Sequence, residues 1–351
     1  MDFAFTDEQA MIAETAQQFF AETATSKRTR QAMDADGFDR ETWQSFCQEL
    51  GLSGLLISEE FGGSGLGMVE FANIAEAAGA QVAAIPLLGQ TMTGQAISAG
   101  GSQEQKSRWL PKLASGEIVA AARNPDNLEA DDNSLSGTVE FVPHGNIADI
   151  FLLASPSGAW IVEANDPAVS VNTLTTMDQT RPLVTITLTG AKGDPLPDWH
   201  AGVQAANTGG WICLAAEALG GAQACLDRTV AYSKERVQFG RVIGSFQAYK
   251  HRAADMMIEI EQARSAVYWA ACAVDEGADD VLLALYSAKS FCADIYFKCA
   301  GDMIQLHGGI GFTWEHDAHL FFKRARSIQT LLQNSAWHNE QIAAMLLGEA
   351  A

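Results

Sequence analysis

Four stretches of this chain carry residue types that could do chemistry. The first is Lys234-Glu235-Arg236-Val237-Gln238-Phe239-Gly240-Arg241, followed by Phe246-Gln247. Between positions 228 and 252 stand Arg228, Lys234, Arg236, Arg241, Lys250 and Arg252, opposed by Glu235 alone. Arg-x-Gln-Phe-Gly falls where one helical stretch ends and the next begins. Amides at the start of the second helix can receive an anion, and Arg236 can supply charge. A solvated basic helix face would carry the same residues. The second stretch is Gln305-Leu306-His307-Gly308-Gly309-Ile310-Gly311-Phe312-Thr313. Its glycines let a ligand or a second chain approach the backbone closely. They also fit a helix C-cap and turn. They follow a helix, and their spacing is not G-x-G-x-x-G, so a dinucleotide-binding βαβ unit is disfavoured.

The third is Glu217, the one acid in the apolar run Trp211–Ala224. A carboxylate in such surroundings is costly unless paired. It serves as a base or polar network at a site, or it is an exposed or paired helix residue. The fourth is Lys323-Arg324-Ala325-Arg326, a solvated helix face or an anion or subunit contact. The chain shows no Ser/His/Asp arrangement, no metal-ligand cluster and no phosphate-binding P-loop.

These stretches need elements to hold them. From 201 to 351 the sequence reads as long Ala-, Leu- and Met-rich helices: Val203–Glu235, Phe246–Glu276, Ala278–Leu306 and Asn334–Leu347. Short loops between them predict an antiparallel bundle. From 1 to 117 it is also helical. Thr6 and Gln9 form a capping-box pattern, Arg40–Leu50, Met68–Ala80 and Glu104–Ala114 have helical spacing, and Glu59–Gly67 is glycine-broken loop. From 118 to 200 short β-rich runs alternate with turn residues: Ile118–Ala122, Thr138–Val142, Ile150–Ala154, Trp160–Val162, Val169–Val171 and Val184–Leu188. They predict a small antiparallel barrel or sandwich. The fold class is α+β, with an N-terminal helical domain (1–117), a middle β domain (118–200) and a C-terminal four-helix bundle (201–351).

Composition excludes some functions. The 351 residues are 48% hydrophobic and carry a net charge of −21. So acidic a chain is unsuited to nucleic acid or an anionic membrane surface. Met1-Asp2-Phe3 has neither a basic nor an apolar leader pattern, and the longest apolar candidate, Ala205–Ala224, is broken by Asn207, Gly209, Gly210 and Glu217. The six cysteines lack C-x-x-C spacing and read as reduced core thiols of a cytoplasmic protein.

In their order along the chain, several segments resemble the acyl-CoA dehydrogenase family. They are Phe5-Thr6-Asp7-Glu8-Gln9, Glu59-Glu60-Phe61-Gly62-Gly63-Ser64-Gly65-Leu66-Gly67, Leu110-Pro111-Lys112-Leu113-Ala114-Ser115-Gly116, the Arg236–Gln247 stretch and Gln305–Phe312. The resemblance implies the same helical–β–helical architecture. It also implies FAD as cofactor, an acyl-CoA substrate oxidised at its α,β bond, and an electron-transfer flavoprotein as acceptor. A Glu carboxylate would remove the α-proton and the flavin N5 would take the β-hydride.

Four departures from the family pattern stand out. Aligned on Lys323–Arg326, Leu332 occupies the place of one branch's catalytic Glu, with Leu331 before it and Gln333 after it. Aligned on Leu219-Gly220-Gly221-Ala222-Gln223, Gly210 and Trp211 occupy the place of another branch's Glu-Arg. In the middle domain the flavin-facing strand reads Phe141-Val142-Pro143, and Pro143 has neither hydroxyl nor N–H to give. A Thr-Glu-Pro-like turn is replaced by Ala121-Ala122-Arg123-Asn124-Pro125. By contrast Arg236, Gln238, Phe239, Gln247, Gln305, Gly308 and Gly309 match residues that family members lend to the FAD of a neighbouring subunit. This division resembles the shorter subunit of the heterotetrameric (α2β2) acyl-CoA dehydrogenases of bacterial steroid side-chain degradation, whose paralogous partner would carry the base. The catalytic residue is then unassigned in this chain. Two alternatives remain open: a self-sufficient homo-oligomer using Glu217, two helical turns beyond Gly210, as a displaced base, and a flavin-free structural subunit.

Overall fold

A computed structural model describes residues 5–124, 128–131 and 134–348. Met1-Asp2-Phe3 and Pro125, both used above, lie outside that range. The elements run α1 (Asp7–Thr23), α2 (Ser26–Asp34), α3 (Arg40–Gln44), α4 (Met68–Ala80), α5 (Leu87–Gly100) and α6 (Gln103–Ser115). The strands follow: β1 (Ala120–Arg123), β2 (Leu128–Asp131), β3 (Ser134–Pro143), β4 (Ile150–Ser155), β5 (Gly158–Glu163), β6 (Val169–Thr173) and β7 (Leu183–Pro195). The rest is α7 (Trp199–Glu235), a hairpin of β8 (Val237–Gln238) and β9 (Arg241–Val242), α8 (Gln247–Glu276), α9 (Val281–His307), α10 (Ala318–Thr330) and α11 (Ser335–Leu347). The chain divides into two compact units. Among the described residues no helix is long and apolar enough to cross a membrane.

One unit comprises 27–67 and 84–213. Its sheet has the order β1-β4-β5-β7-β3-β2, with β6 also paired to β7. The sheet is not wholly antiparallel as expected: β1 lies parallel to β4, with Ala120 opposite Ile150. Parallel neighbours need a crossover, and here β2 and β3 lie between them in sequence. Val184, Ile186 and Leu188 alternate inward along β7 and pack on Val139, Val142, Phe151 and Leu153. Buried Gln90 of α5 fastens the helices to the sheet: its amide donates to the carbonyls of Leu113 (2.9 Å) and Ile118 (3.2 Å) and accepts from the Ala120 N–H (3.0 Å). Helix α5 is buried on nearly all sides, so it lacks the polar stripe that marks a helix in sequence. The segment expected as one helix over Arg40–Leu50 is α3 continued by a π turn, Ser45–Glu49.

The other unit comprises the N-terminal residues to Ser26, 68–83 and 214–351. Its helix α1 begins with the expected capping box: Thr6 Oγ1 accepts from Gln9 N (3.2 Å), and Gln9 Oε1 accepts from Thr6 N (3.1 Å). The three long helices fall within a few residues of their expected bounds, and α10 adds a shorter one at the basic stretch. Five of the six cysteines are buried and all six are free. Burial pushes the thiols of Cys47, Cys292 and Cys299 up to about 12, so they behave as packing groups. Helices α4 and α7 cross at glycines. A Cβ on Gly79 would strike the Glu217 backbone, one on Gly220 the Glu76 carbonyl, and one on Gly221 the Tyr296 ring.

That crossing yields a prediction. Gly220→Ala forces the two backbones apart and should cost about 1–3 kcal/mol in chemical denaturation, with Gly301→Ala in α9, whose Cβ would meet only an ordinary contact at 3.9 Å, as the uncrowded comparison.

Candidate active and flavin-binding residues

The basic stretch divides between internal and outward roles. Arg228 bonds Asp317 and Gln81, both at 3.3 Å, and lies over the Phe321 ring. Arg252 pairs with Asp302 at 3.4 Å. Lys234, Arg236, Arg241 and Lys250 are exposed. After α7 the chain makes a hairpin, with Val237 opposite Val242 and Gln238 opposite Arg241. Its two-residue loop, Phe239-Gly240, has φ of 53° and 78°, the left-handed pair that matches the twist of two antiparallel strands. Phe239 is therefore held outward at 92% exposure, its ring edge-on to Phe246, and the Arg241 guanidinium sits 4.0 Å over Phe246. Gln247 opens α8 and Gln305 lies in the last turn of α9, both exposed. The side chains of Arg236, Gln247 and Gln305 bond no other group of the described residues, while the Gln238 amide donates to its neighbour's carbonyl, Val237 O, at 2.8 Å.

The glycine stretch closes α9. Gly308 turns the chain at φ 65°, and a 3-10 turn, Gly308–Phe312, follows. A Cβ on Gly309 would touch nothing within 4 Å, and its φ is not left-handed. Neither internal packing nor backbone conformation of this chain requires glycine there. Phe312 next to it is 86% exposed. The structure brings the two stretches together. Tyr232, one turn before Arg236, stacks on His307 with ring centroids 4.5 Å apart, and Tyr249 Oη donates to Thr229 O at 3.1 Å.

Glu217 takes the paired reading left open above, and the solvated-face reading of the α10 basic stretch is corrected with it. Arg324, expected on a solvated face, is 1% exposed. Its Nη1 donates to Glu217 Oε1, and its Nη2 to Ala83 O at 3.3 Å. A proton on Glu217 would leave a buried guanidinium without its counter-charge, so this carboxylate is engaged in structure and unsuited to act as a base. No sequence pattern signalled the pairing, because the partners lie 107 residues apart.

The turn after α10 was not recognised as a built feature. Leu332 and Gln333 both have positive φ, 49° and 75°, a strain that persists only where the surroundings impose it. Here fully buried Lys289 donates to Ile328 O (3.0 Å) and Gln333 O (3.4 Å), and His338 Nε2 to Leu332 O (3.1 Å). Burial pulls Lys289 down to about 8 and His338 down to about 4. The turn offers Leu332, not a carboxylate. In the other unit, Phe141 (φ 58°) sits at a bulge in β3, Pro143 is buried opposite Leu183, and His144 N donates to Pro182 O at 2.8 Å.

With this geometry described, comparison with known proteins is direct. The acyl-CoA dehydrogenase N-terminal domain model matches residues 6–117 and the C-terminal domain model matches 203–347. The acyl-CoA dehydrogenase IpdE2 of Mycolicibacterium smegmatis is 35% identical over 329 residues, covering 93% of this chain and 95% of that protein. Among solved structures, the ChsE4–ChsE5 complex of Mycobacterium tuberculosis superposes with a TM-score of 0.91 at 27% identity, over 100% of both chains. A variant of the steroid acyl-CoA dehydrogenase Tcur3481–Tcur3483 does so at 0.88 and 28%, over 97% of this chain and 98% of that one. The chain belongs to the acyl-CoA dehydrogenase family, flavoproteins that use FAD. It is an oxidoreductase acting on a CH–CH bond.

Two predictions follow from the buried charges. Glu217→Ala leaves Arg324 unpaired and should cost about 3–5 kcal/mol in denaturation, whereas Glu217→Leu combined with Arg324→Met should cost less than either single change. For Lys289 the folded value near 8 lies below the ordinary Lys value of 10.5, so from about pH 8 to 10.5 the unfolded chain holds more protons. Stability therefore rises with pH through that window, on the order of 1–2 kcal/mol by pH 9.5. Lys289→Met should remove this rise from the difference between the two proteins' denaturation curves.

Proposed function

We propose that this chain is the flavin-completing subunit of a heteromeric acyl-CoA dehydrogenase. In this reading it assembles with a paralogous chain as an α2β2 heterotetramer and lends Arg236, Gln238, Phe239, Gln247, Gln305, Gly308 and Gly309 to the FAD housed by that partner. The partner supplies the proton-abstracting carboxylate. FAD, when bound, accepts the hydride leaving the β-carbon of the acyl thioester. Arg236 would bring charge to the cofactor's diphosphate, the three glutamines would donate and accept hydrogen bonds, and Phe239 would offer an apolar ring. Gly308 and Gly309 would leave room for close approach.

One observation carries the reading. The side chains of Arg236, Gln247 and Gln305 are exposed and bond no other group of the described residues, beside a Gly309 that the chain's own packing does not require. Such donors fit an anionic group arriving from outside. The positions that would serve a complete site within this chain are spent otherwise: Leu332 stands at the strained turn, and Pro143 lacks a donor. Two of the similar structures bear the names of two-chain assemblies, and one of these is named as a steroid enzyme. A steroid-derived or similarly bulky acyl-CoA is accordingly the proposed substrate class, an electron-transfer flavoprotein the proposed acceptor and the cytoplasm the proposed location. The displaced-base alternative loses its support with Glu217 bound to Arg324.

Co-expression with a paralogous acyl-CoA dehydrogenase tests this. The chain purified alone should hold little flavin, and the co-purified heteromer one FAD per pair of chains. Arg236→Ala should weaken FAD retention roughly ten- to a hundredfold, the loss of one charge-assisted contact. Gly309→Ala should lower retention while leaving the melting temperature of the single chain unchanged. Full flavin in the chain alone, bleached by acyl-CoA, would refute the subunit reading.

A further inference from the structure

We propose that His307 is a positioning residue, the joint that fixes the Arg236 hairpin and the Gly308–Gly309 turn as one donor surface. This rests on the flavin-lending reading above. The two segments leave the ends of different helices, 72 positions apart in sequence, and each alone is an exposed loop. Buried His307, at the end of α9, is the last residue before the chain turns. One ring neighbour is Tyr232 of α7, at 4.5 Å and 22°, whose carbonyl accepts from Arg236 N at 2.9 Å. Another is His316, from the segment before α10, at 4.5 Å and 48°. Because Met303 O can only accept, the His307 Nδ1 facing it at 2.8 Å carries the proton and donates. The His316 Nδ1 accepts from Ala318 N at 3.1 Å, so the proton of a neutral His316 is on Nε2. Rotation of His307 is thereby blocked, and a shift of either exposed segment must disturb the stack.

The buried setting of the stack disfavours a charged ring. Burial holds His307 below its ordinary value, and the charge of His316 acts in the same direction. Tyr232 from α7, stacked on the ring, supplies no carboxylate, and Asp317, next to His316, is bonded to Ser26 and Arg228. Asp302, on its own helix, is paired with Arg252. Since the folded value lies below the unfolded one, the arrangement is complete at neutral pH and is lost only as pH falls through the depressed folded value.

Hydrogen exchange on the full chain reads the joint without any flavin. In the parent, amides of 236–242 and 308–312 should be protected together near pH 7.5 and, after correction for intrinsic exchange rates, lose protection together on acidification. His307→Ala should raise exchange about tenfold or more in both segments at neutral pH. His307→Phe keeps a flat ring that cannot ionise, so it should retain protection and lose its pH dependence. Tyr232→Leu, which removes the other half of the stack, should reproduce His307→Ala and guards against a variant that fails to fold. Faster exchange confined to 308–312 in both variants would overturn the proposal. The same variants in the heteromer, followed by FAD fluorescence, separate the two readings. Coupled exchange with unaltered FAD retention upholds the joint and overturns the lending of flavin contacts.

Discussion

The unit containing the C-terminal helices is organised around one buried charge pair. Arg324 of α10 reaches Glu217 of α7 and the Ala83 carbonyl just beyond α4, so three segments remote in sequence meet at one guanidinium. Two desolvated charges are costly to bury; the arrangement holds because each is matched and because Gly79 and Gly220 allow α4 and α7 to approach at backbone distance. Hydrophobic burial drives the helices together, but it is indifferent to small shifts along their axes. A single matched pair with a fixed donor geometry is not, and it fixes α10 against α7 and the end of α4.

The surface features rest on further buried contacts. The hairpin after α7 and the glycine turn after α9 emerge side by side because their helices end side by side, linked by Tyr232, Tyr249 and His307. The strained turn at Leu332-Gln333 is likewise imposed from below by Lys289 and His338. In both places the exposed geometry is determined by buried polar contacts that form no part of any short motif.

Much of the fold was legible in the sequence, for identifiable reasons. The long helices announce themselves by length and by charged faces, and the Thr6/Gln9 capping box by its spacing. Helix α5 was hidden because burial on nearly all sides removes periodicity. The parallel pairing of β1 with β4 was hidden because a short apolar run carries no sign of its neighbour's direction. The positions proposed to reach a flavin were legible as motifs, whereas their outward exposure was not. The roles of Glu217, Arg324 and Lys289 were not legible. A charged residue in an apolar helix reads alike whether it waits for a substrate or clasps a partner a hundred positions away.

The exposed rings of Phe239, Phe312 and Trp314 have a colloidal consequence. Such rings invite self-association of copies of the chain. The net charge of −21 opposes it, since two like-charged copies must approach against their mutual field. Salt that screens this field weakens the opposition, so the dispersion of the chain depends on ionic strength.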